Sequence, residues 1–144
     1  MINRALWMSE RCDWETPQHV FDALNAEFHF TLDPCATAEN AKCAKYYTEE
    51  QDGLAQDWTG ERVYCNPPYG RQVENWVRKC YEHGQSGGGI AVMLIPARTD
   101  TRWFHAWVYG KADEIRFVKG RLRFNKSAVS APFPSMIVVY GKGD

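Results

Sequence analysis

Residues 62–95 read RVYCNPPYGRQVENWVRKCYEHGQSGGGIAVMLI, and this stretch decides the fold. Its two ends predict strands, Arg62 to Cys65 and Ile90 to Ile95. The second is a near-continuous apolar run, which is typical of a central parallel strand covered on both faces. The residues between them carry apolar side chains at helical spacing: Val73, Trp76, Val77, Cys80 and Tyr81. A strand, a helix and a strand in this order indicate an α/β sheet.

The flanking sequence extends this sheet in both directions. Thr16-Pro17 predicts the start of a helix, with Thr16 as its N-cap and Pro17 as its first residue. Residues 36–44 predict a second, short helix, and residues 103–108 carry another helical face. Further strands are predicted at residues 28–32, 45–48, 114–118, 122–124 and 136–140. We therefore expect one domain, residues 1–144, with a mostly parallel sheet and antiparallel strands at its C-terminal edge.

The composition excludes several classes of protein. The chain has 144 residues, of which 44% are hydrophobic and 24% are charged, so neither a disordered chain nor a coiled coil is expected. No apolar run approaches the roughly 18 residues of a membrane span, and residues 1–10 lack the apolar core of a signal peptide. We expect a cytoplasmic protein. Five cysteines without a CxxC pair predict free thiols rather than disulfides or a zinc site.

The charge is unevenly distributed along the chain. The net charge is −1, yet residues 97–144 hold nine Lys and Arg against four Asp and Glu. The basic residues are densest at Arg116, Lys119, Arg121, Arg123 and Lys126. Phe117 and Phe124 are interleaved with them, a mixture expected of a nucleic-acid surface. A solvated charged face is the alternative interpretation.

Three residues follow predicted strands and define one edge of the sheet. Asp33, Asn66 and Pro96 each stand at or just after a strand end. In an open α/β sheet, ligands bind beyond the carboxyl ends of the strands. We expect these residues to share one rim, which makes that rim the candidate site.

The segment Asn66-Pro67-Pro68-Tyr69 carries the sharpest chemical signal. Its two prolines remove backbone donors and fix the path of the chain. The Asn66 side-chain oxygen and the Pro67 carbonyl can each accept one N–H of a planar exocyclic amine and stabilise charge developing on its nitrogen. Tyr69 offers a ring face for the base. The alternative is a proline-rich turn with a buried tyrosine.

Residues 65–69 resemble the catalytic motif of S-adenosylmethionine-dependent amino-methyltransferases. The rest of the chain resembles the short, phage-type DNA adenine-N6 methyltransferases (Dam-like). The resemblance covers nearly the whole chain in order. Its segments are DWETP at 13–17, LDPCA at 32–36, QDGL at 51–54 with Trp58, LIPART at 94–99, residues 114–124, and APFPS at 131–135. It implies a Rossmann-like methyltransferase sheet.

The resemblance also implies roles for individual residues. It makes Asn66, Pro67, Pro68 and Tyr69 catalytic. It implies the cofactor S-adenosylmethionine, which leaves as the product S-adenosylhomocysteine. The residues expected to bind this cofactor are Trp14, Thr16, Pro17, Asp33, Pro34, Ala36, Asp52 and Asn66. Thr16 lies at a helix N-terminus, which suits the cofactor carboxylate. Asp33 would hold the ammonium, directly or through water, and Asp52 would lie near the adenine or ribose.

The implied reaction is methylation of the N6 amine of a flipped-out adenine in double-stranded DNA. Phosphate contacts are expected from Arg98, Arg102, Arg121 and Arg123. We expect no metal, no membrane association, no obligate protein partner and no separate target-recognition domain, with a phage or prophage origin. The loop at residues 33–38 lacks the glycines that most methyltransferases of this fold carry. Three alternatives stay open: an RNA adenine, a protein glutamine amide, or a non-catalytic binding module.

Overall fold

The computed structural model describes residues 14–126 and 129–142. It contains two α-helices, α1 (Gln18–Phe28) and α2 (Val73–Gln85). Its six strands are β1 (Leu32–Asp33), β2 (Lys45–Tyr46), β3 (Val63–Cys65), β4 (Ala91–Pro96), β5 (Glu114–Phe117) and β6 (Ser135–Tyr140). Short helical turns occupy Gly53–Ala55, Phe104–Val108 and Phe124–Lys126. No helix in these two ranges is long and apolar enough to cross a membrane.

The strands form one mixed sheet in the order β2-β1-β3-β4-β6-β5. β1 to β4 run parallel to one another, with Leu32 beside Val63 and Val63 beside Ala91. β6 is antiparallel to both β4 and β5, and it lies between them. The prediction of a mostly parallel α/β sheet with antiparallel C-terminal strands is therefore confirmed, and the fold is Rossmann-like.

The two helices cover opposite faces of the sheet. Successive side chains on a strand point to opposite faces. Tyr64 of β3 packs edge-on against Phe21 of α1, with ring centroids 5.1 Å apart. Cys65, the next residue, lies against Cys80 of α2. β4 and β6 are buried along their whole length because both of their faces are covered.

The structure corrects the predicted start of α1. The helix begins at Gln18, and Pro17, with an extended backbone, takes the capping position. Thr16 does not cap the helix. Its hydroxyl shares a buried hydrogen bond of 2.6 Å with the Tyr64 hydroxyl. The Thr16 hydroxyl therefore bonds to Tyr64 on β3, where an N-cap residue would accept from a backbone N–H of the first helical turn.

Two other predicted elements are wrong, and one is shifted. Residues 36–44 form turns because Thr37 and Asn40 hydrogen-bond to each other's backbone N–H, which competes with a helix. Residues 122–124 form no strand, because the chain turns at Asn125 with φ 57°. The first strand begins at Leu32 rather than Phe28, because α1 extends to Phe28.

Gly53 brings the turn that follows Asp52 against the loop after β1. A Cβ built on Gly53 would lie 2.0 Å from the Pro34 carbonyl oxygen, which is part of the backbone and cannot swing away. We predict that Gly53→Ala lowers the free energy of unfolding by about 1–3 kcal/mol, the usual cost of overpacking. Urea denaturation measures this. Ala55→Ser, an exposed change in the same turn, is the control and should leave the midpoint unchanged.

Candidate active site

The carboxyl ends of three neighbouring strands meet at one rim. Asp33 ends β1, Asn66 follows β3 and Pro96 ends β4. Because β1, β3 and β4 are adjacent and parallel, these residues lie on the same edge of the sheet. The predicted rim is therefore confirmed as a geometric feature.

The side chain of Asn66 is held at both ends. Its Nδ2 donates a hydrogen bond to the backbone carbonyl of Trp14. Because a carbonyl only accepts, this contact fixes the orientation of the amide and turns Oδ1 away from Trp14. Oδ1 accepts a hydrogen bond of 2.5 Å from the Tyr69 hydroxyl. The acceptor oxygen that the sequence analysis assigned to a substrate amine is thus oriented before any substrate binds.

The Tyr69 hydroxyl has two acceptors within reach. Besides Asn66 Oδ1, it lies 3.1 Å from the Leu94 carbonyl oxygen on β4. The single phenolic proton can serve only one of them at a time. If the proton turns to Leu94, both lone pairs of Asn66 Oδ1 become available to other donors.

The Tyr69 ring is enclosed by other aromatic side chains. It is 5% exposed. Phe124 and Phe133 pack against it at right angles, with centroids 6.3 and 5.5 Å away. Trp14 packs edge-on against both phenylalanines. We call Trp14, Tyr69, Phe124 and Phe133 the aromatic cluster; a base can stack on Tyr69 only if a member of this cluster moves.

A cavity of about 430 Å³ opens beside the first turn of α1. It is within the size range of small-molecule sites. Its wall carries both signs of charge, from Glu15, Glu39, Lys42 and Arg123. The remaining lining residues are Thr16, Pro17, Gln18, His19, Asn40 and Ala41.

Asp33 lies behind the wall of this cavity. It is 4% exposed. Its carboxylate accepts hydrogen bonds from the backbone N–H of Lys42 at 3.0 Å and of Cys35 at 3.4 Å. Burial raises the pKa of Asp33 to about 6, against the lowering effect of these two bonds. A buried carboxylate next to a cavity-lining residue is well placed to attract a cation.

The other predicted cofactor residues are divided. Pro34 and Ala36 are buried in the loop after β1, whereas Asp52 is exposed. Asp52 has a left-handed backbone with φ 53°, immediately before the close contact of Gly53 with Pro34. The structure thus brings Asp52 near the β1 loop, but these three residues do not line the cavity.

The four predicted phosphate-binding arginines are exposed, but their surroundings differ. Arg98 follows β4 at the rim. Arg102, whose side chain is 85% exposed, forms an ion pair of 2.8 Å with Glu74. Arg121 makes a long contact of 3.4 Å with the Ala131 carbonyl. Arg123 lines the cavity.

Two members of the predicted basic and aromatic surface are engaged elsewhere. Arg116 donates hydrogen bonds of 2.6 and 2.7 Å to Glu27 and also bonds Glu114. These bonds hold the pKa of both carboxyls below their usual range. Phe124 is 2% exposed and belongs to the aromatic cluster. The prediction of an open nucleic-acid surface is therefore wrong for Phe124, while Phe117 is exposed as expected. Arg116 stays partly exposed, but its charge is paired with Glu27 and Glu114.

Sequence analysis missed three residues that shape the site. Tyr64 anchors Thr16, Lys42 presents its N–H to Asp33, and Asn125 joins the segment at Glu15. Asn125 N–H donates to the Glu15 carbonyl at 3.1 Å, and the Glu15 N–H donates to Asn125 Oδ1. Only the alternation of β3 offered a signal, because it places Tyr64 on the face opposite Cys65.

The described cysteines are free, and no group of three His, Cys, Asp or Glu side chains in the described part of the chain is arranged to hold a metal ion. Cys12 and Asp13 lie outside the described residues. Burial raises the pKa of the Cys43 thiol to about 12, so this thiol stays protonated at neutral pH.

The strand order and the rim match a Rossmann-like methyltransferase fold. The chain belongs to the DNA N-6-adenine-methyltransferase (Dam) family, whose sequence model matches residues 5–140. It is 36% identical over 93 residues to the DNA N-6-adenine-methyltransferase of Escherichia phage T1. These aligned residues cover 63% of this chain and 38% of the phage protein. It is also similar to the putative methyltransferase YfdM of Escherichia coli (strain K12), with 44% identity over 64 residues, 39% of this chain and 69% of that relative. The matched region spans well under half of the phage protein.

Proposed function

We propose that this protein transfers a methyl group from S-adenosylmethionine to the N6 amine of adenine in double-stranded DNA. The observation that carries the proposal is the Asn66 amide, fixed by Trp14 so that Oδ1 is an oriented acceptor at the rim. Membership of the Dam family and the similarity to the phage T1 enzyme support adenine in DNA as the acceptor. A substrate of this kind places the activity in the bacterial cytoplasm.

The residues around the cavity fit S-adenosylmethionine. The methionyl end of this cofactor carries an ammonium and a carboxylate, and the cavity wall carries both carboxylates and cations. The first turn of α1 adds the positive end of a helix dipole. Thr16 and Pro17 line the cavity, and the Asp33 carboxylate lies directly behind Lys42. Pro34, Ala36, Asp52 and Trp14 complete the proposed set from outside the cavity.

The proposed chemistry needs positioning and charge stabilisation. When bound, the cofactor supplies an electrophilic methyl group on a sulfonium sulfur. Asn66 Oδ1 and the Pro67 carbonyl oxygen each accept a hydrogen bond from one N–H of the adenine amine and turn its lone pair toward that methyl. With the amine held in this way, the methyl group would exchange its bond to sulfur for a bond to nitrogen, the electron pair would stay on sulfur, and one amine proton would pass to water. Pro68 holds the loop rigid.

Tyr69 has two roles in this proposal. Its hydroxyl turns from Asn66 to the Leu94 carbonyl when the adenine amine takes its place at Oδ1. Its ring stacks on the flipped base, which requires Phe124 or Phe133 to move aside. Base stacking on an aromatic residue contributes ~1–3 kcal/mol, which offsets part of the cost of this rearrangement.

We assign the DNA backbone to the exposed arginines near the rim. Each phosphate contact contributes close to one unit to the slope of log affinity against log salt. Replacing Arg98 and Arg121 together with Ala should therefore flatten the slope by about two and weaken binding to all duplexes alike. Arg78→Ala is the control, because Arg78 is also an exposed arginine, lies on α2 and pairs with Glu82. An unchanged slope in the double variant would place the DNA elsewhere. Arg102 should contribute less than either, because Glu74 competes for its charge.

Transfer of a tritiated methyl group tests the proposed function. Duplex DNA, RNA and a glutamine-rich protein are offered separately with labelled cofactor. Label should appear in the duplex DNA. Label in the RNA or the protein would replace the proposed acceptor by one of the two alternatives, and label in none of them would favour a binding module.

A further inference from the structure

Arg123 occupies a position different from that of its basic neighbours. It lines the cavity beside Glu15, Thr16 and Lys42, whereas Arg98 and Arg121 do not. Although its side chain is exposed, it lines a cavity rather than lying on an open surface.

The backbone around Arg123 is anchored on its C-terminal side. Phe124 is buried in the aromatic cluster, where it packs edge-on against Trp14 at 5.7 Å. Asn125 is joined to Glu15 by two hydrogen bonds, one in each direction. The segment that carries Arg123 is therefore attached to Glu15, which lines the cavity, and to Trp14, whose carbonyl accepts the hydrogen bond from Asn66.

The charges around the cavity indicate which chemical group of a ligand would lie against Arg123. The Lys42 ammonium is engaged, because it donates to Gln18 Oε1 at 2.9 Å and lies 3.9 Å from Glu15. Arg123 forms no ion pair with any described residue. A carboxylate in the cavity would be repelled by Glu15 and Glu39 and attracted by Arg123, whose planar guanidinium suits a bidentate carboxylate contact.

We propose that Arg123 binds the α-carboxylate of the cofactor's methionyl end, and does not bind a DNA phosphate. This inference rests on the proposed function, because it takes S-adenosylmethionine as the ligand of the cavity. One segment then serves two sites: Arg123 binds the cofactor and the next residue, Phe124, packs on Tyr69. Cofactor binding would thus fix the segment that encloses the base-stacking ring.

Decarboxylated S-adenosylmethionine tests the proposal, since it keeps the nucleoside, sulfonium and ammonium and lacks only the carboxylate. Calorimetry should show that the wild-type chain binds the full cofactor about 10- to 100-fold more tightly. Arg123→Ala should abolish that ratio by weakening only the full cofactor, and Arg123→Lys should leave part of it. Arg121→Ala, two residues away, should keep the wild-type ratio. Thermal melting checks that each variant is folded.

Two outcomes separate the inference from the proposed function. If the wild-type chain binds the cofactor and Arg123→Ala keeps the wild-type ratio, the inference is wrong and the proposed function stands. If the wild-type chain binds neither compound, the proposed function is wrong and the inference falls with it. A second readout is the slope of log DNA affinity against log salt concentration, which Arg123→Ala should leave unchanged. A slope flattened by about one would show that Arg123 contacts a DNA phosphate.

Discussion

Asn66→Ala should lower the rate of methyl transfer about 10²- to 10³-fold, the usual cost of removing one preorganised group at a developing charge. The variant removes the Oδ1 acceptor and also the hydrogen bond from Nδ2 to the Trp14 carbonyl. We expect it to fold and to keep most of its cofactor affinity, because Asn66 does not line the cavity. Single-turnover kinetics measures the rate, and calorimetry measures the affinity.

Asn75→Ala is the matched control for Asn66. Asn75 is an exposed asparagine on α2, so its removal should leave both the rate and the affinity at the wild-type level. Wild-type turnover by Asn66→Ala would show that the Asn66 amide is not part of the chemistry. If Asn66→Ala loses cofactor affinity as well as rate, the main role of Asn66 is to bind the cofactor.

Cofactor affinity should depend on pH through Asp33. The pKa of this carboxyl is raised to about 6 by burial, so it is ionised at pH 7.5 and becomes protonated below pH 6. Protonation removes the charge that attracts the cofactor ammonium. The affinity for S-adenosylhomocysteine should be flat above pH 6 and fall up to about tenfold per pH unit below it, while Asp33→Asn should bind weakly with no such step.

His19 provides the control for this pH dependence, because it also lines the cavity. His19→Gln should keep the step near pH 6. A step that disappears in His19→Gln and survives in Asp33→Asn would transfer the effect to the histidine.

The same shift predicts a stability effect in the absence of cofactor. A carboxyl whose folded pKa is raised stabilises the folded state below its unfolded pKa, near 3.8, and loses that contribution as the pH rises through 6. Between pH 4 and pH 7 the wild type should therefore lose up to about 3 kcal/mol of unfolding free energy that Asp33→Asn does not lose. Urea denaturation at both pH values measures this difference.

Long, strongly patterned segments made the fold predictable from sequence. The apolar run of β4, the helical face of α2 and the strand before Asn66 fix one strand-helix-strand unit, and that unit places the rim. The loop at residues 66–69 was predictable for the same reason, since its prolines follow a strand that is easily recognised.

The remaining features depend on partners far away in the chain. Thr16 does not cap α1, because its hydroxyl hydrogen-bonds to Tyr64, 48 positions away. Arg116 forms an ion pair with Glu27, 89 positions away. Phe124 is buried because Trp14, Tyr69 and Phe133 surround it. Local patterns carry no information about such contacts, so a dense run of basic and aromatic residues was interpreted as one surface.

Identification of the methylated nucleoside tests the central claim most directly. Duplex DNA is incubated with the protein and with cofactor that carries a deuterated methyl group, then digested to nucleosides and analysed by mass spectrometry. The labelled methyl group should appear as N6-methyldeoxyadenosine with the wild-type chain and be nearly absent with Asn66→Ala. Label on any other nucleoside, or none in the duplex, would contradict the assignment of Asn66 and Pro67 to the adenine amine.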